Sequence, residues 1–114
     1  MGETKLTLRL LDDERASFTL DYPGVEGYII GRSDSQSTPP PDIDLAKYNG
    51  RERGVSRRHA AIVQYRGDIF LVDLDSVNGT SINDIRVTPD VPYPIEDGDR
   101  VTFGDLVITV LRAI

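Results

Sequence analysis

Alternation between apolar and polar residues dominates this chain. Across residues 4–11, Leu6, Leu8 and Leu10 fall on one face and Lys5, Thr7 and Arg9 on the other, the period of a strand with one buried side. After a polar turn at Asp12-Asp13-Glu14-Arg15, a second strand is expected over residues 16–20. A third is expected at Tyr28-Ile29-Ile30, between Gly27 and Gly31. Residues 60–65 and 69–74 flank Arg66-Gly67-Asp68 and predict a hairpin. Residues 100–103 and 106–111 do the same around the two-residue turn Gly104-Asp105. Asp42 and Asp44 alternate about Ile43 as a short strand would. Helical signals are poor, because ten glycines and seven prolines punctuate the chain. The best helical segment, residues 45–53, is cut by Asn49-Gly50. Many short strands between frequent turns predict an all-β sandwich or barrel.

Length and composition narrow the class. The 114 residues suit one domain, 1–114, long enough to bury its own core. Apolar residues at 39% and charged residues at 28% read as a soluble globular chain and not a disordered one. There is no cysteine, which removes disulfides, thiolate metal sites and a cysteine nucleophile together, and a reducing, cytoplasmic location is expected. No stretch approaches the roughly 20 apolar residues of a membrane span. Met1-Gly2-Glu3-Thr4-Lys5-Leu6 shows neither a signal-peptide core nor a myristoylation pattern, so no membrane insertion is expected. Residues 33–41, ending in Pro39-Pro40-Pro41, read as a stiff surface connector.

Charge then points to a ligand. The net charge of −6 argues against a nucleic-acid partner, whose footprint would be basic. Yet Arg51, Arg53, Arg57 and Arg58 stand within eight residues, with Glu52 as the one acid among them. A local cationic cluster on an acidic body suits a small anion. Gly31-Arg32, Ser56-Arg57-Arg58-His59 and Leu74-Asp75-Ser76-Val77-Asn78-Gly79-Thr80 lie at the ends of expected strands. Together they supply a guanidinium fork, a hydroxyl and a carboxamide from three loops. A phosphate offers three acceptor oxygens and nearly two negative charges, and arginine meets it with two parallel donors.

In this order and spacing the motifs resemble those of the forkhead-associated (FHA) domain, over about residues 28–111. The resemblance implies a two-sheet β-sandwich of about eleven strands that binds threonine-phosphorylated proteins or peptides through loops at one end, downstream of a Ser/Thr kinase, without catalysis and without a cofactor. By that match Arg32 and Ser56 hold the phosphate, Arg57 adds a donor, and Asn78 holds the peptide main chain, with Val77 beside it. Gly31, His59, Gly79, Thr80 and Asn83 would support the loops. Two positions depart from the family pattern. Val77 stands where a hydroxyl is common, and Gly54 stands where some relatives carry a base that reads an acidic residue of the ligand.

Other classes fit less well. A serine hydrolase needs its serine and histidine in contact, but Ser56 and His59 are three apart, on opposite faces if the segment is a strand. His59 is also the only histidine. Asp73, Asp75 and Asp84 hold the first, third and twelfth places of a calcium loop, but its sixth place is Asn78 and not glycine, so no metal is expected. A sandwich that docks a partner without phosphate is the remaining alternative.

Overall fold

The computed structural model describes residues 5–21, 27–36 and 39–113. The readings at residues 1–4, and at residues 37–38 of the proline-rich connector, lie outside these. Among the described residues there are eleven strands. They are β1 (Lys5–Leu10), β2 (Asp13–Asp21), β3 (Tyr28–Gly31), β4 (Ile43–Asp44), β5 (Arg58–Tyr65), β6 (Asp68–Asp73), β7 (Thr80–Ile82), β8 (Ile85–Arg86), β9 (Tyr93–Pro94), β10 (Arg100–Phe103) and β11 (Leu106–Ala113). One sheet has the order β2-β1-β11-β10-β7-β8 and the other β4-β3-β5-β6-β9. The chain is thus an all-β, two-sheet sandwich. All described pairings are antiparallel except β3 with β4.

The alternating residues meet between the sheets. Leu6, Leu8 and Leu10 of β1, Val101 and Phe103 of β10, and Leu106, Ile108 and Val110 of β11 are buried from one side. Ile30, Ile62, Ile69 and Leu71 are buried from the other. Each such side chain stabilises the fold by about 1.5–3 kcal/mol through loss of apolar surface to water.

Turn chemistry sets the connections. Arg66-Gly67 joins β5 to β6 with both φ positive, 52° and 85°, as a type I′ turn requires. Asn83-Asp84 joins β7 to β8 in the same way, at 50° and 69°. Two expectations need correction. The Asp12–Arg15 turn is shorter than the polar run suggests: β2 already begins at Asp13, because a register shift between Arg9 and Leu10 pairs Leu10 with Asp13. The helical segment shrinks to a single 3-10 turn, Ala46–Tyr48, stopped by Asn49 at φ 60°. Asn78-Gly79 ends the connection from β6 in one sheet to β7 in the other. That crossing brings Asn78 to the end of the sandwich where the β3–β4 and β4–β5 loops lie.

Candidate functional site

A groove of about 370 Å3 opens at that end, lined by Arg32, Arg51, Gly54, Val55, Ser56, Arg57, Val77 and Asn78. Three of these eight residues are arginines and none is acidic. All five residues expected to touch the ligand (Arg32, Ser56, Arg57, Val77 and Asn78) line it.

Arg32 follows β3 directly. Its backbone N–H donates to the Arg57 carbonyl at 3.1 Å and its Nε to the Val55 carbonyl at 2.6 Å. The guanidinium is therefore anchored at one edge, and its terminal nitrogens have no partner among the described residues. Gly31 makes this crossing possible, since a Cβ there would lie 1.9 Å from the Arg57 carbonyl oxygen. The Ser56 hydroxyl oxygen accepts the Val77 N–H at 3.1 Å. With a lone pair so engaged, the hydroxyl proton remains a donor for the groove. Asn78 donates Nδ2 to the Gly54 carbonyl at 3.0 Å. That bond orients the carboxamide and, among the described residues, leaves its oxygen and second N–H without a partner.

Behind the groove stands His59, fully buried at the start of β5. Its Nδ1 accepts the Ser56 backbone N–H at 2.9 Å, so the ring proton sits on Nε2 and donates to the Gly79 carbonyl at 2.9 Å. One neutral ring thus ties the Ser56 loop to the Asn78-Gly79 loop. Burial lowers its pKa below 6.5, against the opposing pull of the Gly79 carbonyl and Asp73. His59 takes the backbone N–H of Ser56 and not its hydroxyl, so no serine–histidine dyad forms.

Asp73, a residue the sequence reading gave no part in this site, supports the second loop. It is 1% exposed. Burial alone would raise its pKa. Donors from the Ser76 hydroxyl at 2.6 Å, the Thr80 hydroxyl at 2.6 Å and the Ser76 N–H at 3.1 Å instead hold it below 3.8. The Ser76 oxygen accepts the Gly79 N–H at 3.0 Å, closing a chain of bonds from Asp73 to Gly79. A local signal existed: an aspartate three residues before a serine, and that serine three before a glycine, suits side-chain-to-backbone turns. Gly79 has φ 85° and sits in this chain of bonds as the tight turn requires. Thr80 braces the loop through Asp73.

Asn83 lies elsewhere. Three residues beyond Thr80, about 10 Å along a strand, it donates Nδ2 to Asp99 and accepts the Arg100 N–H, each at 3.0 Å. It pins the far end of β7 to β10 and does not line the groove. The arginine cluster also divides. Arg57 lines the groove and pairs with Asp34 at 2.7 Å, while Arg53 turns away to an ion pair with Asp12. Arg58 is an exposed residue of β5 outside the groove lining. Arg51, just upstream of Gly54, lines the groove.

The family model described as FHA domain matches residues 28–104, more than half of the chain. The chain belongs to the FHA domain family. Solved FHA domains share its architecture. One, from a structural and functional analysis of phosphothreonine-dependent FHA domain interactions, is 30% identical with a TM-score of 0.71, covering 94% of this chain and 95% of that one. Another, the FhaA FHA domain complexed with the intracellular domain of Rv3910, is 30% identical with a TM-score of 0.69, covering 92% and 98%. Among curated proteins, the protein phosphatase 1 regulatory inhibitor subunit PPP1R8 homolog of Arabidopsis thaliana is 42% identical over 53 residues, covering 46% of this chain. This FHA chain spans 14% of that relative's length and between 4% and 26% of six other curated relatives.

Proposed function

We propose that this FHA domain binds a phosphothreonine-bearing segment of a partner protein, as a non-catalytic reader of Ser/Thr kinase output. The observation that carries this reading is the meeting of Arg32, Ser56 and Asn78, from three separate loops, around one acid-free groove. In this reading the terminal nitrogens of Arg32 and the Ser56 hydroxyl donate to phosphate oxygens, Arg57 adds positive charge, and the Asn78 carboxamide bonds the main chain of the ligand. Three charge-assisted hydrogen bonds at about 1.5–3 kcal/mol each, set against the entropy of association, support a contact that forms and releases readily.

Recognition needs little rearrangement, because the His59 and Asp73 bonds already fix the loops. The acidic body around an arginine-lined groove favours a single local phosphate over a long polyanion, and nucleic acid is not a partner in this reading. A reducing, cytoplasmic setting accords with the absence of cysteine. Calorimetry with a phosphothreonine peptide and its unphosphorylated twin tests the proposal. Losing two charge-assisted bonds weakens binding by more than about 100-fold, so the twin is expected to bind undetectably, as is the phosphopeptide to Arg32→Ala. Equal affinity for both peptides would instead establish a phosphate-independent docking scaffold.

A further inference from the structure

Two structural requirements meet at Asn78 and Gly79, and together they create a chemically labile step. The clamp needs a carboxamide at 78, whose Nδ2 reaches the Gly54 carbonyl at 3.0 Å. The turn needs glycine at 79, where φ is 85° and a Cβ would lie 2.2 Å from the Arg86 guanidinium. Asparagine is a thermolabile residue, and it is most open to deamidation before glycine, which has no Cβ to hinder its backbone nitrogen. That nitrogen attacks the asparagine Cγ, the Cγ–Nδ2 bond breaks, and the glycine amide proton leaves with the side-chain amine as ammonia. Water then opens the cyclic imide at either carbonyl, giving aspartate or isoaspartate.

Both nitrogens of the first step are engaged in the fold. The attacking one, of Gly79, donates its proton to Ser76 Oγ at 3.0 Å, and Ser76 is itself fixed by Asp73 Oδ1 at 2.6 Å. The leaving one, Asn78 Nδ2, is tied to Gly54. The Gly79 carbonyl is held as well, by His59 Nε2 at 2.9 Å and the Gly104 N–H at 3.1 Å. A buried glycine pinned at its nitrogen and at its carbonyl cannot swing the nitrogen on to Cγ. The loop has to open first, and the chemistry then runs only in the open fraction.

We propose that Asn78 is a deamidation site that the Ser76 hydroxyl restrains, and that its conversion ends ligand capture. Aspartate at this position brings a carboxylate into a groove lined by no acid and removes the donor to the Gly54 carbonyl. Isoaspartate also adds a main-chain carbon before Gly79 and so displaces the loop. The loss of ligand capture rests on the phosphothreonine reading of the groove; the deamidation and its restraint do not.

The test ages wild-type protein, Ser76→Ala and a free peptide of residues 76–81 side by side at mildly alkaline pH. Mass spectrometry of proteolytic fragments follows conversion at Asn78. Asn49-Gly50 is the internal reference, since it lies on another loop with its Gly50 N–H on the Leu45 carbonyl at 3.0 Å. Asn78 is expected to convert at least about ten-fold more slowly in wild type than in the peptide, because both nitrogens must first be released. Ser76→Ala is expected to raise the rate at Asn78 by about three- to ten-fold, the equivalent of one net hydrogen bond, and to leave Asn49 unchanged. Conversion in wild type at the peptide's rate, an unchanged rate in Ser76→Ala, or equal acceleration at Asn49 and Asn78 overturns the restraint. The deamidated fraction, separated by ion exchange, is then titrated with a phosphothreonine peptide. It is expected to bind at least about ten-fold more weakly than intact protein, and equal affinity overturns the functional consequence. Absence of phosphopeptide binding by intact protein overturns the phosphothreonine reading instead and leaves the restraint by Ser76 standing.

Discussion

Replacing His59 by alanine separates support of the groove from contact with the ligand. The ring is fully buried and holds two backbone groups of different loops, the Ser56 N–H and the Gly79 carbonyl. It also stands edge-on to Phe103, with centroids 5.4 Å apart. Orphaning two backbone groups costs about 1–3 kcal/mol each, and the lost ring contact about 0.5–1.5 kcal/mol. Partial relaxation brings the expected total to about 3–5 kcal/mol, a large share of a typical stability of about 5–15 kcal/mol. For a domain of this size that corresponds to a fall in Tm of roughly 12–20 °C. Differential scanning calorimetry reads it directly. A loss below about 5 °C would refute the reasoning, since it would mean that the two loops hold together without the ring. In the same variant phosphopeptide affinity is expected to fall although His59 touches no ligand, because Ser56 and Asn78 lose their shared anchor.

Three further outcomes are expected. The folded pKa of His59 lies below its usual 6.5, so in that window the unfolded chain binds the extra proton. This contribution is complete above pH 6.5 and declines as pH falls toward the lowered value; urea melts between pH 7.5 and 5 should show the decline in wild type and not in His59→Gln. Gly54→Ala combines left-handed backbone strain of about 1–2 kcal/mol with a clash against Asn78. A lower Tm and at least about ten-fold weaker phosphopeptide binding should follow, the latter from disturbance of the Asn78 clamp; wild-type affinity would show that the Asn78–Gly54 bond is dispensable. Val77 is 86% exposed beside Ser56 and offers the threonine methyl an apolar surface. One methyl group contributes about 0.8 kcal/mol, so phosphothreonine should bind roughly four-fold tighter than phosphoserine, and Val77→Ser should narrow the gap.

Much of this was legible before any coordinates. Strict alternation marked β1, and Phe103 and Leu106 bracketed the Gly104-Asp105 turn where β10 meets β11. The short strands β7, β8 and β9 carry too few residues to show a period, whereas β4 is legible only because Asp42 and Asp44 flank Ile43 in alternation. The bulge at Arg9 and Leu10 escaped too, since it depends on pairing with a strand that follows. The groove residues Arg32, Ser56, Arg57, Val77 and Asn78 were readable as motifs, but their supports were not. Asp73 fell in an expected strand and at the first place of a calcium-like loop, and only its burial shows why two hydroxyls close on it. The arginines between 51 and 58 formed one cluster in sequence. In space they part, because Arg53 meets Asp12 from the β1–β2 turn and Arg57 meets Asp34 from the β3–β4 loop, and sequence distance carries no information about either meeting. Asn83 shows the converse: close to the motif in sequence, it lies at the wrong end of β7.

The claim that three loops serve one ligand is tested most directly by NMR. Backbone and side-chain amide spectra of the labelled protein are recorded as a phosphothreonine peptide is added. The account predicts that the largest shifts fall together on Arg32, Ser56, Val77 and the Asn78 carboxamide, with β8 and β9 unmoved. Shifts that gather around Ile85 and Tyr93, or that leave Arg32 and Asn78 unaffected while the peptide binds, would contradict it.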